Sequence, residues 1–422
     1  MRYIIGMLLA GFVCFFLLGL RKGFSFRELC GMTGRGAREA IDVGKMLLLI
    51  GMVTGVWRVS GTIVQCVHYG IAAITPRLFL LIVFAVTCGL SYALGTSFGV
   101  VGTAGVIFMT LARGGGVNTA VAAGVILSGI YFGDRSSPIA STAIMTAQVT
   151  KTELYGNVRR MMRTGAVPLA LTFAFYACLS VMHPLNVLDE NALSAFASRF
   201  VLSPWTMLPA ALMLILPLAG VKVKWAIAAS VVAGAAVAHA VQGFSLAEIA
   251  RVCALGYRSA EGGASAILDG GGMISMLGSA AIVTISCASI GLADGAHLLE
   301  GLHSWVERVS ARLGRFPAMM IVCLGAAAVF CNQVIAIVSS HAFLWPIYER
   351  GGLSREDLAD DIENSAILLP ALIPWCILGS VPLAILGETY SAMPFAVYVY
   401  AVPLWTMIHH AMHDSRAKNG EK

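Results

Sequence analysis

Long uncharged stretches separated by short charged segments run along the whole chain. Leu78–Ala112 has no charged residue in 35 positions, and Phe316–Ile347 has none in 32. Both exceed the ~20 residues that cross a bilayer as one helix, and both contain polar residues. Each stretch therefore predicts one helix followed by a second piece, which in the first stretch is short or re-entrant and begins near Gly95.

A helix broken in the middle of the membrane is predicted between Val117 and Lys151. Two uncharged runs of this segment are separated by a group of charged, hydroxyl and helix-breaking residues: Gly133, Asp134, Arg135, Ser136, Ser137 and Pro138. Proline removes a backbone donor and clashes with the preceding turn. Interrupted backbone survives at this depth only inside protein or against a wet cavity, and charges there mark an ion or proton path. The alternative is a kinked structural helix in which Asp134 and Arg135 satisfy each other.

The same plan recurs in the second half of the chain. A charged loop at Glu349–Glu363 precedes Asn364–Gly387, whose three prolines predict a second broken helix. Paired interrupted segments in corresponding places point to a transport site between inverted repeats. We expect a single membrane domain over residues 1–422, with repeat one at about 46–188 and repeat two at about 225–388.

The composition also indicates a membrane protein. Hydrophobic residues make up 58% of the chain and charged residues 12%, whereas soluble domains have about 25% charged residues. We predict an all-α polytopic protein with about ten to twelve transmembrane segments of ~20 residues each. Basic residues concentrate in Arg21–Lys45 and Lys151–Arg163, which places both segments in the cytoplasm. The expected location is the inner membrane of a bacterium.

The net charge of +6 lies mostly in short loops, so it indicates topology and no nucleic-acid partner. No phosphate-binding loop is present, and we predict secondary transport with no cofactor, no resident metal and no enzymatic activity. Three histidines beside a charged tail favour a solvated helix end over a metal site: His409, His410 and His413. The expected partners are the lipid bilayer and a small ion or small-molecule substrate; a homodimer remains open.

Gly95–Gly99 matches the G-x-S-x-G pattern of a hydrolase elbow, with Ser97 as the nucleophile. That elbow needs a preceding strand and a histidine and an acid within reach, and the sequence has no strand signal here. The favoured interpretation is that small residues allow close backbone approach and that the hydroxyls of Thr96 and Ser97 are cation or water ligands. An intramembrane serine hydrolase is a third alternative for the whole chain.

Five segments carry a resemblance that extends over about Ile50–Gly387. They are GVWRVSGT (Gly55–Thr62), GTSFGVVGTAG (Gly95–Gly105), SGIYFGDRSSP (Ser128–Pro138), GGGMISM (Gly270–Met276) and YERGGLSREDLADDIENSAILLPALIPW (Tyr348–Trp375). With these segments the chain resembles the NhaC family of sodium/proton antiporters, and the third and last are the most specific. The resemblance implies a helical inner-membrane exchanger built from inverted repeats.

The chain departs from the family pattern at several polar positions. After the Ser-Pro pair the family usually has Leu-Ser-Asp-Thr-Thr-Asn, whereas this chain has Ile139–Ile144, so that Ser141 replaces the acid. The family usually has Asp where Asn332 and Asn364 stand, and Asn where Cys376 stands. Carboxylate and carbonyl oxygens suit hard cations, so these losses bear directly on the substrate.

The leading hypothesis is an NhaC-type cation (sodium)/proton antiporter. The alternative is a proton- or sodium-coupled exchanger of a small carboxylate or amino acid on the same scaffold, which the lost acids favour. Asp134 is the expected proton-coupling or ion-binding carboxylate. The expected ion- or substrate-binding residues are Asp134, Ser137, Ser141, Thr96, Ser97, Asn332, Gln333, Glu363, Asn364 and Arg58. Four of these come from the second repeat and should line the other half of one cavity, although Glu363 could equally be a loop acid.

Arg58 interrupts the apolar run Met46–Ile74 at a position where the family usually has an apolar residue. A cation at the centre of a membrane helix costs about 2.5–3.5 kcal/mol even on the lenient insertion scale. Two interpretations stay open. Arg58 snorkels to the surface from a break near Ser60, or it reaches the cavity and pairs with Asp134 or with a substrate carboxylate.

Overall fold

Helices form nearly all of the regular structure, as the apolar pattern predicted. The computed structural model describes residues 2–73, 75–184, 200–258, 270–296 and 303–420. Within these ranges the one β feature is an isolated antiparallel bridge between Tyr257 and Gly270. The prediction of an all-α polytopic membrane protein is therefore confirmed.

Ten α-helices lie in the described part of the first half. They are α1 (Arg2–Arg21), α2 (Phe26–Val59), α3 (Thr62–Ala73), α4 (Phe79–Leu94), α5 (Ser97–Val100), α6 (Val106–Gly114), α7 (Thr119–Ser136), α8 (Ser141–Thr150), α9 (Leu154–Thr164) and α10 (Ala166–Met182). A π-helical turn at Val101–Gly105 joins α5 to α6, so Ser97–Gly114 is one continuous helix.

Ten more lie in the described part of the second half. They are α11 (Leu208–Leu218), α12 (Val223–Ala240), α13 (Leu246–Leu255), α14 (Met273–Gly295), α15 (His303–Leu313), α16 (Arg315–Phe330), α17 (Gln333–Arg350), α18 (Arg355–Ser365), α19 (Ile377–Leu386) and α20 (Val397–Gly420). Short 3-10 turns at Pro76–Leu78, Pro204–Met207, Leu369–Leu372 and Tyr390–Phe395 complete the set.

Several of these helices have the length and composition of a membrane span. Among the described residues, three qualify alone, namely Pro76–Leu94, Ser97–Gly114 and Val223–Ala240. Two bent pairs raise the number to five: α9 with α10, bent by 49°, and Arg355–Leu372 with α19, bent by 55°. Shorter apolar helices lie beside them, and the total of ten to twelve segments stays a prediction.

The basic segment Arg21–Lys45, and the segment Glu349–Glu363 that was expected to be a charged loop, are both largely helical. α2 begins at Phe26, inside the basic segment, because Ser25 and Glu28 form a capping box that satisfies the free N–H groups at the helix start. α18 begins at Arg355, inside the acidic segment, because Ser354 and Asp357 form the same motif. A high density of charged residues therefore did not indicate a loop in these segments. Each of them forms a helix with one buried face.

The chain contains two structurally matched units. In each, a helix of 16 residues, α4 or α16, is followed by a two-residue break. The first residue of the break is left-handed, with φ 60° at Gly95 and φ 57° at Cys331. The second is an extended N-cap, Thr96 or Asn332, whose side chain accepts a hydrogen bond from the next helix. Helices of equal length follow, Ser97–Gly114 and α17.

The match continues through the broken helices. α8 and α19 have 10 residues each and both end in a left-handed residue, Lys151 (φ 56°) or Gly387 (φ 68°). The first residues of α4 and α16, Phe79 and Arg315, are 236 positions apart in the sequence. The left-handed residues that end α8 and α19, Lys151 and Gly387, are separated by the same 236 positions. The bounds of about 46–188 and 225–388 for the full repeats stay a prediction. Between these end points the two units align at a constant offset, with no insertion or deletion.

The two broken helices run in opposite directions. The start of the first broken helix lies beside the end of the second. This is shown by Arg113, which comes just before the first broken helix and donates through Nη2 to Leu386 O at 2.5 Å. The end of the first and the start of the second also lie together, since α8 packs on α18. At the crossing, the Tyr131 hydroxyl donates to the carbonyl of Leu378. This antiparallel pair is the arrangement that inverted repeats produce.

The glycine-rich motif before α14 allows three backbone segments to meet. Gly272 (φ 81°) donates its N–H to Gly51 O of α2 at 2.7 Å, and a Cβ at Gly271 (φ 75°) would lie 2.6 Å from the nitrogen of Gly55. A side chain at either position would therefore be strained, and it would collide with α2 at Gly271 and with the backbone of Leu255 and Gly256, at the end of α13, at Gly272. This contact brings α14 against the C-terminal end of α2, where Arg58 lies.

Candidate cation site where the broken helices cross

Asp134 is a buried carboxylate near the C-terminal end of α7, with 5% of its surface exposed. Gln333 Nε2 donates to Asp134 Oδ2 at 3.3 Å and to Ile367 O at 2.9 Å. The Ser97 hydroxyl also lies against the carboxylate, and the Thr142 hydroxyl donates to the backbone carbonyl of Asp134 at 2.5 Å. No lysine, arginine or histidine among the described residues forms an ion pair with it.

Close packing between α4 and α7 holds Asp134 in place. A Cβ at Gly133 would lie 2.1 Å from the carbonyl carbon of Ser91, so only glycine fits. The Ser91 hydroxyl donates to Ile130 O at 2.5 Å, and the Ser137 hydroxyl donates to Tyr92 O at 2.6 Å. Gly133 and Asp134 therefore belong to α7, and the break begins at Ser137, slightly later than predicted.

Ser97 and Gln333 are equivalent residues of the two units, 236 positions apart, and each is the first residue of its helix. The structure brings both to Asp134. A helix N-terminus carries partial positive charge, which stabilises a nearby anion. The two helix N-termini therefore stabilise the negative charge of Asp134, which has no cationic side chain among the described residues as an ion-pair partner.

Arg135 does not satisfy Asp134, in contrast to the structural alternative given above. Its guanidinium is fully buried and donates to five oxygens of other residues: Asn364 Oδ1 (Nε, 3.0 Å), Tyr398 Oη (3.2 Å), Ser136 Oγ (3.3 Å), Met161 O (3.0 Å) and Thr164 Oγ1 (3.1 Å). Arg135 thus joins α7 to α9, α18 and α20. It is a structural anchor that the sequence reasoning did not single out.

Glu363 is fully buried in α18, so it is not a loop acid. Neither of its carboxyl oxygens has a hydrogen-bond partner in the described structure. Asp360, one turn earlier, and Arg135 are the charged groups that act on it. Burying a carboxyl group without a hydrogen-bond partner costs free energy. Glu363 is therefore a candidate functional residue.

The other predicted residues have different local roles. Thr96 and Asn332 are helix caps, accepting hydrogen bonds from Gly99 N at 3.2 Å and Val334 N at 2.7 Å. Asn364 holds Arg135 and is buried. Ser141 is exposed at the start of α8, and it is the next residue, Thr142, that reaches Asp134.

Arg58 is not brought to Asp134. The predicted break comes directly after it, because α2 ends at Val59 and α3 begins at Thr62. However, it lines a separate cavity together with Asn118 and Thr119, at the N-terminal end of α7. Asp134 lies fifteen residues further along that helix, about 22 Å at 1.5 Å per residue. Arg58 is also 9% exposed, so it does not snorkel to the surface.

A polar network on α18 was also missed by the sequence reasoning. Asp361 accepts from the Tyr348 hydroxyl at 2.5 Å and from His410 Nε2 at 2.7 Å. Arg315 Nη2 lies 2.8 Å from His410 Nδ1. The expectation of a solvated helix end is therefore wrong for His410, whose side chain is 22% exposed.

The chemistry of the Asp134 site suits one monovalent cation. It combines a single carboxylate with neutral oxygens from hydroxyl, amide and carbonyl groups, which are hard ligands. Within the described residues, no group of three or more histidine, cysteine, aspartate or glutamate side chains could hold a metal ion. One negative charge can be neutralised by one sodium ion or by one proton.

A buried carboxylate at the crossing of two antiparallel broken helices defines an inverted-repeat membrane transporter. Comparison with known sequences gives the family. The sequence model of the Na+/H+ antiporter family matches residues 129–409, and the chain belongs to that family. The resemblance to NhaC antiporters is thereby confirmed.

Several characterised relatives align along most of the chain. The malate-2H(+)/Na(+)-lactate antiporter of Bacillus subtilis is 26% identical over 92% of this chain and 85% of its own length. The Na(+)/H(+) antiporter NhaC of Alkalihalophilus pseudofirmus is 26% identical over 86% of this chain and 80% of its own. The arginine/ornithine antiporter ArcD of Halobacterium salinarum is 23% identical over 84% and 75%.

Proposed function

We propose that this antiporter exchanges sodium for protons across the inner membrane of a bacterium, and that both ions bind in turn to Asp134. The observation that supports this proposal is the buried Asp134 carboxylate held by Gln333 and Ser97, one from each structural unit. A single carboxylate binds one sodium ion or one proton but not both. Competition for one group is the simplest basis of obligatory exchange.

The electrostatics favour a bound cation. A buried charge without a partner is strongly unfavourable, and Arg135 directs its donors to other residues. The carboxylate of Asp134 therefore needs a mobile counter-charge, which a proton or a sodium ion supplies. The helix N-termini at Ser97 and Gln333 lessen the penalty during the exchange of one ion for the other.

The second candidate function is exchange of a small carboxylate or amino acid, coupled to protons or sodium. The observation that favours it is a large cavity lined by Arg58 and Arg113. Two relatives, named for malate, lactate, arginine and ornithine, show that related chains carry such molecules. In this case Asp134 would bind the coupling ion.

Reconstitution into liposomes that contain a pH-sensitive dye tests the first proposal. Sodium added outside should enter in exchange for protons, so the luminal pH should rise, whereas protein-free liposomes should not respond. Lithium, potassium, lactate, malate and amino acids are then added in turn. A response that requires an organic substrate would replace the first candidate by the second, and no response to any of them would contradict both.

A further inference from the structure

One face of α18 carries a line of polar groups from the protein surface to the Asp134 site. Asp360, Glu363 and Ile367 are spaced three and four residues apart, so they lie on the same side of the helix and of the turn that follows it. Asp360, at one end of the line, is partly exposed. At the other end, Ile367 O accepts from Gln333 Nε2, which also donates to Asp134 Oδ2. Glu363 therefore lies between the surface and the Asp134 carboxylate.

Glu363 and the residue after it have polar atoms without protein partners. Glu363 is fully buried, and neither of its carboxyl oxygens has a hydrogen-bond partner in the described structure. Asn364 Oδ1 accepts from Arg135, whereas Asn364 Nδ2 has no partner among the described residues. Because arginine only donates, Arg135 fixes which end of the amide faces it. Internal water is the usual partner of such buried groups, and buried acids in a membrane mark proton relays.

The charges that act on Glu363 are one cation and one acid, Arg135 and Asp360. Arg135 acts on Asp360 as well, and the Thr164 hydroxyl lies 3.1 Å from Asp360 Oδ1. One guanidinium balances one carboxylate, so the second acid is best accommodated with a proton. Asp360 is partly exposed and hydrogen-bonded, whereas Glu363 is neither. Glu363 is therefore the acid that holds the proton.

The other titratable side chains that pack around this part of α18 have partners of their own. They are His410 and Tyr348, which bond to Asp361; Arg160, which pairs with Asp357; and Cys323, which contacts Ser365. The neighbouring helix α8 has no charged residue. Within the described part of the chain, Glu363 is thus free to exchange its proton with water.

We propose that Glu363 carries protons between Asp134 and the solvent at Asp360. Asp360 lies beside Thr164, which directly follows the basic segment Lys151–Arg163, so this route opens toward the cytoplasm. When sodium replaces the proton of Asp134, Glu363 first gives its own proton to the solvent through Asp360. Its carboxylate then accepts, through internal water, the proton that leaves Asp134. One proton is released for one sodium ion bound, and Glu363 ends the step protonated as it began.

The inference rests on the proposed exchange of sodium and protons at Asp134, to which it adds a proton route that sodium does not use. Two assays in liposomes separate the movements of the two ions. The sodium-driven change of luminal pH measures sodium/proton exchange. Uptake of radiolabelled sodium, with equal unlabelled sodium and equal pH on both sides, measures sodium/sodium exchange, which needs no net proton transfer.

Glu363→Gln should lose most of the sodium-driven pH change and keep the wild-type uptake of radiolabelled sodium. Glu363→Asp keeps a titratable group and should recover part of the pH change. Glu356→Gln, the same substitution at an exposed acid of α18, is the matched control and should equal wild type in both assays. If Glu363→Gln is not monodisperse on size exclusion, Glu363→Met takes its place.

Asp134→Asn should lose both kinds of exchange, which distinguishes a failure of the ion site from a failure of the proton route. Wild-type sodium/proton exchange by Glu363→Gln would overturn the inference alone. An equal loss of both exchanges in Glu363→Gln would also overturn it, because it would show a structural role. No sodium/proton exchange by wild type would refute the proposed function and this inference together.

Discussion

Replacing Arg135 with lysine should destabilise the protein strongly although the charge is kept. The guanidinium donates to five acceptor residues on α7, α9, α18 and α20, whereas an ammonium group has three donors. At least two of the five partners must therefore be lost. At about 1.5–3 kcal/mol for each hydrogen bond that involves a charged group, the loss is about 3–6 kcal/mol.

The apparent unfolding temperature of the purified protein in detergent measures this effect, together with the monodisperse fraction on size exclusion. Arg159→Lys is the matched control, because Arg159 is exposed on α9 and should be neutral to this change. An unfolding temperature of Arg135→Lys equal to that of Arg159→Lys would refute the reasoning, since it would show that the buried fork of hydrogen bonds contributes nothing.

Three more outcomes follow from the described contacts. Glu363→Met removes a fully buried carboxyl that has no hydrogen-bond partner. It should raise stability by about 1–3 kcal/mol while it lowers the exchange rate, and a stability loss measured by thermal unfolding would contradict this. Asn332→Ala should cost about 1 kcal/mol as a lost helix cap, whereas Asn332→Ser should keep both stability and sodium affinity; a loss of affinity in the serine variant would show that Asn332 is a ligand. Ser245 donates through its hydroxyl and its backbone N–H to Glu248 and holds the pKa of that carboxyl below its usual value of 4.5, so the cap of α13 should persist above that pH and be lost as the pH falls further. After correction for the slower intrinsic exchange at low pH, the protection factors of the Leu246–Leu255 amides should therefore fall on acidification, and pH-independent protection factors would exclude this cap.

The paired architecture could be predicted from the sequence because its signals are local. Gly95 and the prolines of both broken helices mark interruptions in uncharged stretches, and the structure places breaks beside them. The break at Cys331 was harder to locate, because a cysteine takes the left-handed conformation in which glycine is expected. The common offset of 236 residues became visible only when the helix ends were known.

The candidate site was only partly predictable because it depends on contacts between distant elements. Gln333 was expected to lie in one cavity with Asp134, and the structure brings the two side chains together. Arg58 was grouped with them, since an intramembrane cation suggested a shared site, but the packing of α2 against α14 directs it to the cavity at the N-terminal end of α7. No sequence pattern specifies which side of a bundle such a residue faces.

The most direct test of the central claim is the sodium-driven change of luminal pH in liposomes that contain Asp134→Asn. Glu356→Gln, which alters an exposed acid on α18, is the matched control at equal protein content. The shared-carboxylate account predicts that Asp134→Asn inserts and folds normally but gives no pH change, while Glu356→Gln exchanges like wild type. Sodium/proton exchange by Asp134→Asn at the wild-type rate and with the wild-type pH profile would contradict the account.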